Sequence, residues 1–392
     1  MPQVNPKILV WARETAGLGI EEAAAALHLG GSRRPGQDVL AEYEDGARVP
    51  TRPLLLKMAK LYRRPLLVFY LQQPPVKSEL GEDFRTLPGG REFEGASKLD
   101  TLVRDVFVRQ RLVKSILEDT DEARPLEFVG SITLDWSVQD AARAICLRLL
   151  FDLEEFRRKK KVEDSFNYAR RLSEDLGIFV LLIGNLGTHH TAFSTETFRG
   201  FALSEKVAPF IVINDQDAKV AWSFTLLHEL AHIWLGRTGV SGSDNEKKIE
   251  QFCNDVASEI LLPEEELNQL PRFDNNVPEL LVAINDFAVR RRISRALVGY
   301  RLFKRQQIDH AQWSEMKEEF RRTWEAERAK KKEQAANSKS GVDYYVVKRH
   351  RVGAALVEIT RRAIAEGFVT PTKAGRILGV RPASVQALVG AL

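Results

Sequence analysis

The residues best suited to chemistry lie in one short stretch, His228-Glu229-Leu230-Ala231-His232. On an α-helix, positions i and i+4 share a face, so both imidazoles can reach one metal ion. The Glu229 carboxylate then projects beside that ion, where it can hold a water molecule. This pattern is typical of a zinc peptidase that activates water against a peptide bond. The competing interpretation, two core histidines bonded to backbone carbonyls, is disfavoured because burying both without a ligand is costly.

The residues around this motif predict a helix. Polar residues suited to an N-cap precede it, and Gly236 stands where a left-handed C-cap belongs. Apolar residues recur between them at helical spacing, which puts both histidines along the inward stripe. The N-cap candidates are Asn214, Asp215 and Asp217, and the apolar positions are Ala221, Phe224, Leu227 or His228, Ala231 and Leu235.

A catalytic zinc site takes a third protein ligand and leaves the fourth position to water. Residues 246–263 predict a second helix, because apolar residues recur at spacings of three and four and Pro263 ends the pattern. Glu250 falls along the edge of the apolar stripe, whereas Glu246 lies nearer the helix start and Glu259 points elsewhere. Spacing therefore favours Glu250 as the third ligand.

The motif and the line from Glu250 to Pro263, Glu-x-x-Cys-Asn-x-x-Ala-x-x-Ile-Leu-Leu-Pro, resemble the ImmA/IrrE family of bacterial and phage metallo-endopeptidases. The family's equivalent glutamate is the third zinc ligand, which implies that role for Glu250. Residues 198–203 and 208–214 match the two strands before the family's zinc helix. Asp83-Phe84-Arg85 resembles a signature of its long members. Cys253 stands where the family has alanine, so we interpret it as a packing residue and not as a soft metal ligand.

Composition limits the remaining interpretations. A chain of 392 residues predicts two to three domains, and 44% hydrophobic with 29% charged residues describes a globular protein. There is no apolar run of membrane-spanning length and no hydrophobic signal core, so we expect a cytoplasmic protein without a membrane partner. Two cysteines are too few for a disulfide framework. A net charge of +4 does not by itself indicate nucleic acid.

The predicted fold is α+β and mostly helical. A zincin-like peptidase domain with a small β-sheet is flanked by helical, helix-turn-helix-like domains. Apolar runs at 178–183, 198–204 and 209–213 are the predicted strands. The predicted domains are a degenerate XRE-like helix-turn-helix domain at 1–73, a linker at 74–97, the peptidase domain with a helix-turn-helix-like closing unit at 98–305, a charged helix and linker at 306–342, and a C-terminal helical domain at 343–392.

The N-terminal helices resemble the helix-turn-helix of phage-repressor-like (XRE) regulators but depart from it where DNA would be read. An insertion containing Arg33 and Arg34 separates the two key helices, and the groove-facing helix carries Asp38 and Glu42, which phosphates repel. We therefore favour a protein partner, or packing on the peptidase, over DNA. The two arginines remain candidates for contacting a DNA backbone.

Four other segments have two interpretations each. The basic run 157–161 is interpreted as a solvated face and not as a nucleic-acid site. His189 and His190 are loop residues that either are plain surface or stabilise the oxyanion of peptide hydrolysis. Arginines in 287–302 either grip an acidic substrate segment or form a basic solvent face. The tail from Tyr344 is predicted as one long helix followed by a basic helical hairpin at 370–382, the better nucleic-acid candidate of the two chain ends.

The resulting hypothesis is a zinc-dependent endopeptidase, with manganese as the alternative metal. His228, His232 and Glu250 hold the ion, and Glu229 acts as general base. The family resemblance implies a protein substrate, an XRE-type repressor or antitoxin encoded nearby, whose cleavage relieves repression in a stress, phage or mobile-element response. The alternative is a regulator or antitoxin that binds DNA or a toxin through its terminal domains and leaves the peptidase site unused.

Overall fold

The computed structural model describes residues 4–31, 34–62, 64–73, 96–187, 191–237, 244–270, 277–337 and 343–390. The chain divides into two compact units, Met1–Asp105 and Val106–Leu392. The finer five-part division stays a prediction. Almost all of the predicted linker at 74–97, with Arg33, Asp83-Phe84-Arg85 and the pair His189-His190, lies outside the described residues.

The first unit is helical and has its own apolar core. One face of each of its helices is buried, and Leu40 and Met58 are completely inaccessible. Inside the unit, Arg13 Nε and Nη2 donate to the two carboxylate oxygens of Glu44 at 2.7 and 2.9 Å. The helices are α1 (Pro6–Thr15), α2 (Ile20–Ala26), α3 (Gly36–Glu44) and α4 (Arg52–Leu61), with a 3₁₀ turn at Leu66–Tyr70.

Helix α5 (Ala96–Asp119) contains the boundary between the units, and the second unit holds the remaining described elements. Its further helices are α6 (Val138–Leu149), α7 (Leu153–Arg158), α8 (Val162–Asp175), α9 (Trp222–Trp234), α10 (Asp244–Leu261), α11 (Val277–Arg291), α12 (Arg295–Lys304), α13 (His310–Asn337), α14 (Tyr344–Val352), α15 (Ala354–Ala365), α16 (Pro371–Leu378) and α17 (Val385–Val389). Its 3₁₀ turns are Lys219–Ala221, Glu264–Gln269 and Pro382–Ser384.

A three-stranded sheet lies beside α9 and consists of β1 (Phe179–Leu182), β2 (Gly200–Leu203) and β3 (Phe210–Ile213). The order is β1-β3-β2, with β3 parallel to β1 and antiparallel to β2. Every strand residue except Gly200 is buried. Burial on both faces explains why these segments are continuous apolar runs without alternation. Helices α6, α8, α9 and α10 pack into the same core as this sheet.

The predicted fold class, α+β and mostly helical with a small sheet, is confirmed. Within the part of the chain that is described, no helix is both long and apolar enough to cross a membrane.

Two local expectations are wrong, and a third holds only in part. The predicted N-cap residues do not cap α9, which begins after the 3₁₀ turn and has Ala221 at its N-cap without a side-chain bond. The tail is not one long helix, because Gly353 separates α14 from α15 at φ 92° and ψ 151°, backbone values essentially restricted to glycine. The run 157–161 is not wholly solvated, because the Arg157 side chain is 12% exposed and pairs with Glu266 at 2.8 Å.

Candidate metal centre

Helix α9 carries the paired histidines and is fixed at its C-terminal end. Gly236 adopts φ +67°, and a Cβ there would lie 2.9 Å from the Cα of Gly130. Because position 236 is glycine, the two backbones can meet, whereas a Cβ at Gly130 would lie 3.6 Å from the Gly236 Cα, in ordinary contact. The amides of Gly130 and Ile132 donate to the carbonyls of Ile233 and Trp234, each at 3.1 Å. The Ile132 amide gives a partner to the Trp234 carbonyl at the helix end, and the Gly130 amide is a second donor to the Ile233 carbonyl, which also accepts from the Gly236 amide at 2.9 Å.

Helix α10 lies against α9 and presents Glu250 from the edge of its buried stripe. Its opposite side is held by α12. Tyr300 Oη donates to Asp255 at 2.8 Å, and Arg301 Nη2 donates to Glu259 at 2.6 Å. Glu259 is therefore occupied away from the site, as its spacing predicted. The Glu246 side chain lies outside the described part of the structure.

The structure brings His228, His232 and Glu250 together. The two Nε2 atoms are 3.1 Å apart, and each lies 3.2 Å from a different oxygen of the Glu250 carboxylate. Ligands bonded to zinc at 2.0–2.1 Å in a tetrahedron are separated by about 3.3 Å. The two 3.2 Å distances involve different carboxylate oxygens, and with one ligand atom from each residue the three atoms lie within 4.8 Å of one another. The set could therefore hold a metal ion.

The electrostatics of the centre favour a cation. Burial alone would lower the pKa of His228, but its hydrogen bond to Glu250 and the charges of Glu229 and Glu250 outweigh this and raise it. Burial of Glu250 acts to raise its pKa, and the hydrogen bonds from both histidines overcome that effect and hold it well below its usual range. The carboxylate is therefore ionised, as a metal ligand must be.

Glu229 lies within the same electrostatic cluster and is 5% exposed. Burial raises the pKa of its carboxyl, while His228 and His232 oppose the shift. A buried carboxylate with a raised pKa accepts a proton more readily at neutral pH than an exposed one. This is the property that a general base requires.

The remaining sequence candidates are placed elsewhere or not described. Cys253 is buried and does not belong to the three-ligand group, and burial raises the pKa of its thiol. His189 and His190 lie outside the described residues. Several arginines of the closing unit are engaged in ion pairs within the protein, including Arg291 with Glu266 at 2.8 Å and Arg301 with Glu259 at 2.6 Å.

Sequence reasoning missed Gly200. A Cβ at this position of β2 would lie 2.5 Å from Thr225 Cγ2 and 2.9 Å from Glu229 Oε1. The only available signal was a glycine inside a short apolar strand, a pattern that marks close approach of another group.

A helix with paired histidines, a third carboxylate donor from the next helix and a buried glutamate beside them define the arrangement of a metallopeptidase site. Residues 173–303 match the peptidase M78 family model, described as the IrrE N-terminal-like domain. The match covers about a third of the chain and contains all four residues, so it supports a metallopeptidase. No curated protein and no solved structure matches the chain.

Proposed function

We propose that this protein is a gluzincin-like, metal-dependent endopeptidase. The observation that carries the proposal is the convergence of His228, His232 and Glu250 at separations of 3.1–3.2 Å with Glu229 buried beside them. The family match over 173–303 supports the same class of enzyme. Zinc fits two imidazoles and one carboxylate best, and manganese is the alternative.

Each residue has a distinct role in the proposed reaction. His228, His232 and Glu250 would hold the ion, which would supply Lewis acidity toward a peptide carbonyl and the attacking water. Glu229 accepts a proton from that water and delivers it to the departing amine. Its burial keeps the carboxylate away from bulk solvent, so the proton stays within the site.

The proposed substrate is a protein regulator, an XRE-type repressor or an antitoxin encoded nearby, and this part rests on the family resemblance. DNA binding by a terminal helical segment remains the alternative proposal. A shift of promoter DNA without proteolysis of any neighbouring gene product would favour that alternative.

The proposal is tested by replacing Glu229, the assigned general base, while the three metal ligands are left unchanged. Glu229→Gln should bind zinc with wild-type stoichiometry and lose about 10²–10⁴-fold in cleavage rate, measured on unfolded casein and on purified neighbouring gene products. His232→Gln should lose zinc as well. Glu265→Gln, an exposed glutamate beyond α10, is the control that should change neither property. Wild-type cleavage by Glu229→Gln would reject the assigned base, and absence of metal binding by the wild type would reject the enzyme.

A further inference from the structure

Gly200 stands where the edge strand meets the catalytic helix. Thr225 and Glu229 lie one turn apart on α9 and both face it. A Cβ at position 200 would be 2.5 Å from Thr225 Cγ2, 2.9 Å from Glu229 Oε1 and 3.1 Å from the Val212 carbonyl oxygen. A separation below 3.0 Å cannot be maintained, so an added methyl group would displace its neighbours.

Backbone conformation does not explain this glycine. Gly200 is not among the described residues with positive φ, and it pairs with Ile213 in regular antiparallel register. Any residue could adopt that conformation, whereas a β-branched or aromatic residue would suit a strand better. What the position requires is space on the face directed at α9.

We propose that Gly200 is a positioning residue for Glu229, an inference that rests on the proposed function. Because Gly200 has no side chain, β2 can approach α9 closely enough to lie against the Glu229 carboxylate. This close approach limits the directions in which the Glu229 side chain can rotate away from the histidines. Position 200 thereby sets where the proton acceptor stands relative to the reacting water, without touching either the metal or the substrate's scissile bond.

Two contacts must be separated in the test. Gly200→Ala creates a clash with the Thr225 methyl group, which concerns packing, and one with the Glu229 carboxylate, which concerns catalysis. Thr225→Ser removes only the methyl group. The double variant Gly200→Ala/Thr225→Ser therefore keeps the second clash while relieving the first, and Thr225→Ser alone is the matched control.

The expected results follow from a carboxylate displacement of about 0.5 Å, which restores ordinary van der Waals contact. Gly200→Ala should lower both the melting temperature and kcat. The double variant should recover most of the melting temperature but keep a kcat deficit of roughly 10–100-fold, with KM and zinc stoichiometry unchanged. A crystal structure of the double variant should show the Glu229 carboxylate moved away from residue 200.

Recovery of kcat together with stability in the double variant would overturn the inference, because the glycine would then serve packing alone. An unmoved Glu229 carboxylate in the crystal structure would overturn it independently of any activity. If the carboxylate moves but the wild type neither binds metal nor cleaves protein, the positional role of Gly200 stands and the proposed function fails.

Discussion

The helices at the two ends of the chain are alike in sequence pattern but use their charged residues differently. In the first unit, Arg13 and Glu44 pair with each other, and Arg34 pairs with Glu42 at 2.9 Å, all within that unit. In the C-terminal segment 343–390, arginines bond across long stretches of sequence. Arg351 reaches Asp215 at 2.7 Å, and Arg362 binds both oxygens of Glu122 at 2.8 Å.

The centre of this second network is a buried ion pair on α8, Arg170 with Glu174, whose side chains are 6% and 7% exposed. Arg170 donates to the carbonyls of Val180 in β1 and of His350 near the end of α14. Glu174 accepts from the first two amides of α15, at 3.2 and 3.3 Å. The cation thus lies at a helix C-terminus and the anion at a helix N-terminus, where the helix dipoles favour them.

This difference shows that a helical sequence pattern does not reveal whether a segment folds on its own or needs contacts with the rest of the protein. In the first unit, the buried Glu44 carboxylate is paired with Arg13 of the same unit. The C-terminal segment supplies partners to charges on α8, and it belongs to the same compact unit as the candidate metal centre. A basic character in the tail is therefore partly a requirement of folding, because Arg349, Arg351 and Arg362 are all engaged within the protein.

The sharpest test of this contrast is deletion of each end. Removing residues 343–392 should abolish cooperative unfolding of the second unit, because it takes away the backbone partners of Arg170 and Glu174 together with the apolar contacts of α15. We expect a loss of more than about 5 kcal/mol, comparable with a domain's whole stability. Removing residues 1–95 should leave zinc binding intact. Circular dichroism melting measures the stability of the two deletion variants, and zinc titration measures their metal binding. A variant without residues 343–392 that stays stable and binds zinc would contradict the proposed difference between the two ends.

Single substitutions in the two buried ion pairs should affect different unfolding transitions. Glu174→Gln leaves Arg170 buried without a counter-charge and should destabilise the second unit by about 3–5 kcal/mol. Glu44→Gln should act on the first unit and leave zinc affinity unchanged. Differential scanning calorimetry with and without zinc distinguishes them, because only the transition of the metal-binding unit rises with zinc. If both variants lowered the same transition, the units would not be energetically distinct.

Two glycines of the C-terminal segment form a matched pair. At Gly353, φ is +92° and a Cβ would lie 2.3 Å from Glu174 Oε1, whereas at Gly367, φ is +80° and nothing lies within 4 Å. Gly367→Ala should cost only the strain of a left-handed backbone, about 1–2 kcal/mol. Gly353→Ala should cost about 2 kcal/mol more, because its backbone values are essentially restricted to glycine and because the added Cβ also disturbs the α8 ion pair. Urea denaturation measures both, and equal costs would mean that the ion pair does not hold the tail.

The smallest effect is expected at the exposed Arg362–Glu122 pair, whose side chains are 42% and 41% exposed. The hydrogen bond from Arg362 lowers the pKa of Glu122. Its contribution is therefore present above the ordinary carboxyl pKa near 4.3 and disappears as the pH falls through the lowered value. Glu122→Gln should cost less than about 1 kcal/mol at pH 7 after solvent screening, and the difference should shrink at acid pH and in high salt. A loss independent of both conditions would contradict an electrostatic origin.

The convergence of His228, His232 and Glu250 was largely predictable because the information for it is local. The i, i+4 spacing fixes both histidines on one face of α9, and the stripe of α10 selects Glu250 over Glu259. The three strands were likewise predicted, because buried runs such as 210–213 are apolar without interruption. Helix ends were less predictable, since the polar residues before α9 hold their own loop, as Asn214 does by bonding the Phe198 carbonyl at 3.1 Å.

What the sequence could not indicate are partnerships between distant segments. Arg170 and His350 are 180 positions apart, and no local pattern distinguishes a guanidinium that will be buried from one that will be solvated. The same limit applies to Arg157, whose position in a basic run predicted a solvated face. It applies also to Gly200, whose role depends on α9, the helix that follows the next strand.

The contact between Gly130 and Gly236 limits how this part of the chain can vary. The end of α9 is held by main-chain donors, so replacing side chains between 130 and 132 does not remove the anchor. A change in the length of that segment would remove the anchor, because each added or deleted residue shifts the amides relative to the carbonyls that accept their hydrogen bonds. The positions of the two imidazoles therefore depend on the length of a loop that precedes them by about a hundred residues. Homologous chains should conserve the length of that loop more strictly than its composition.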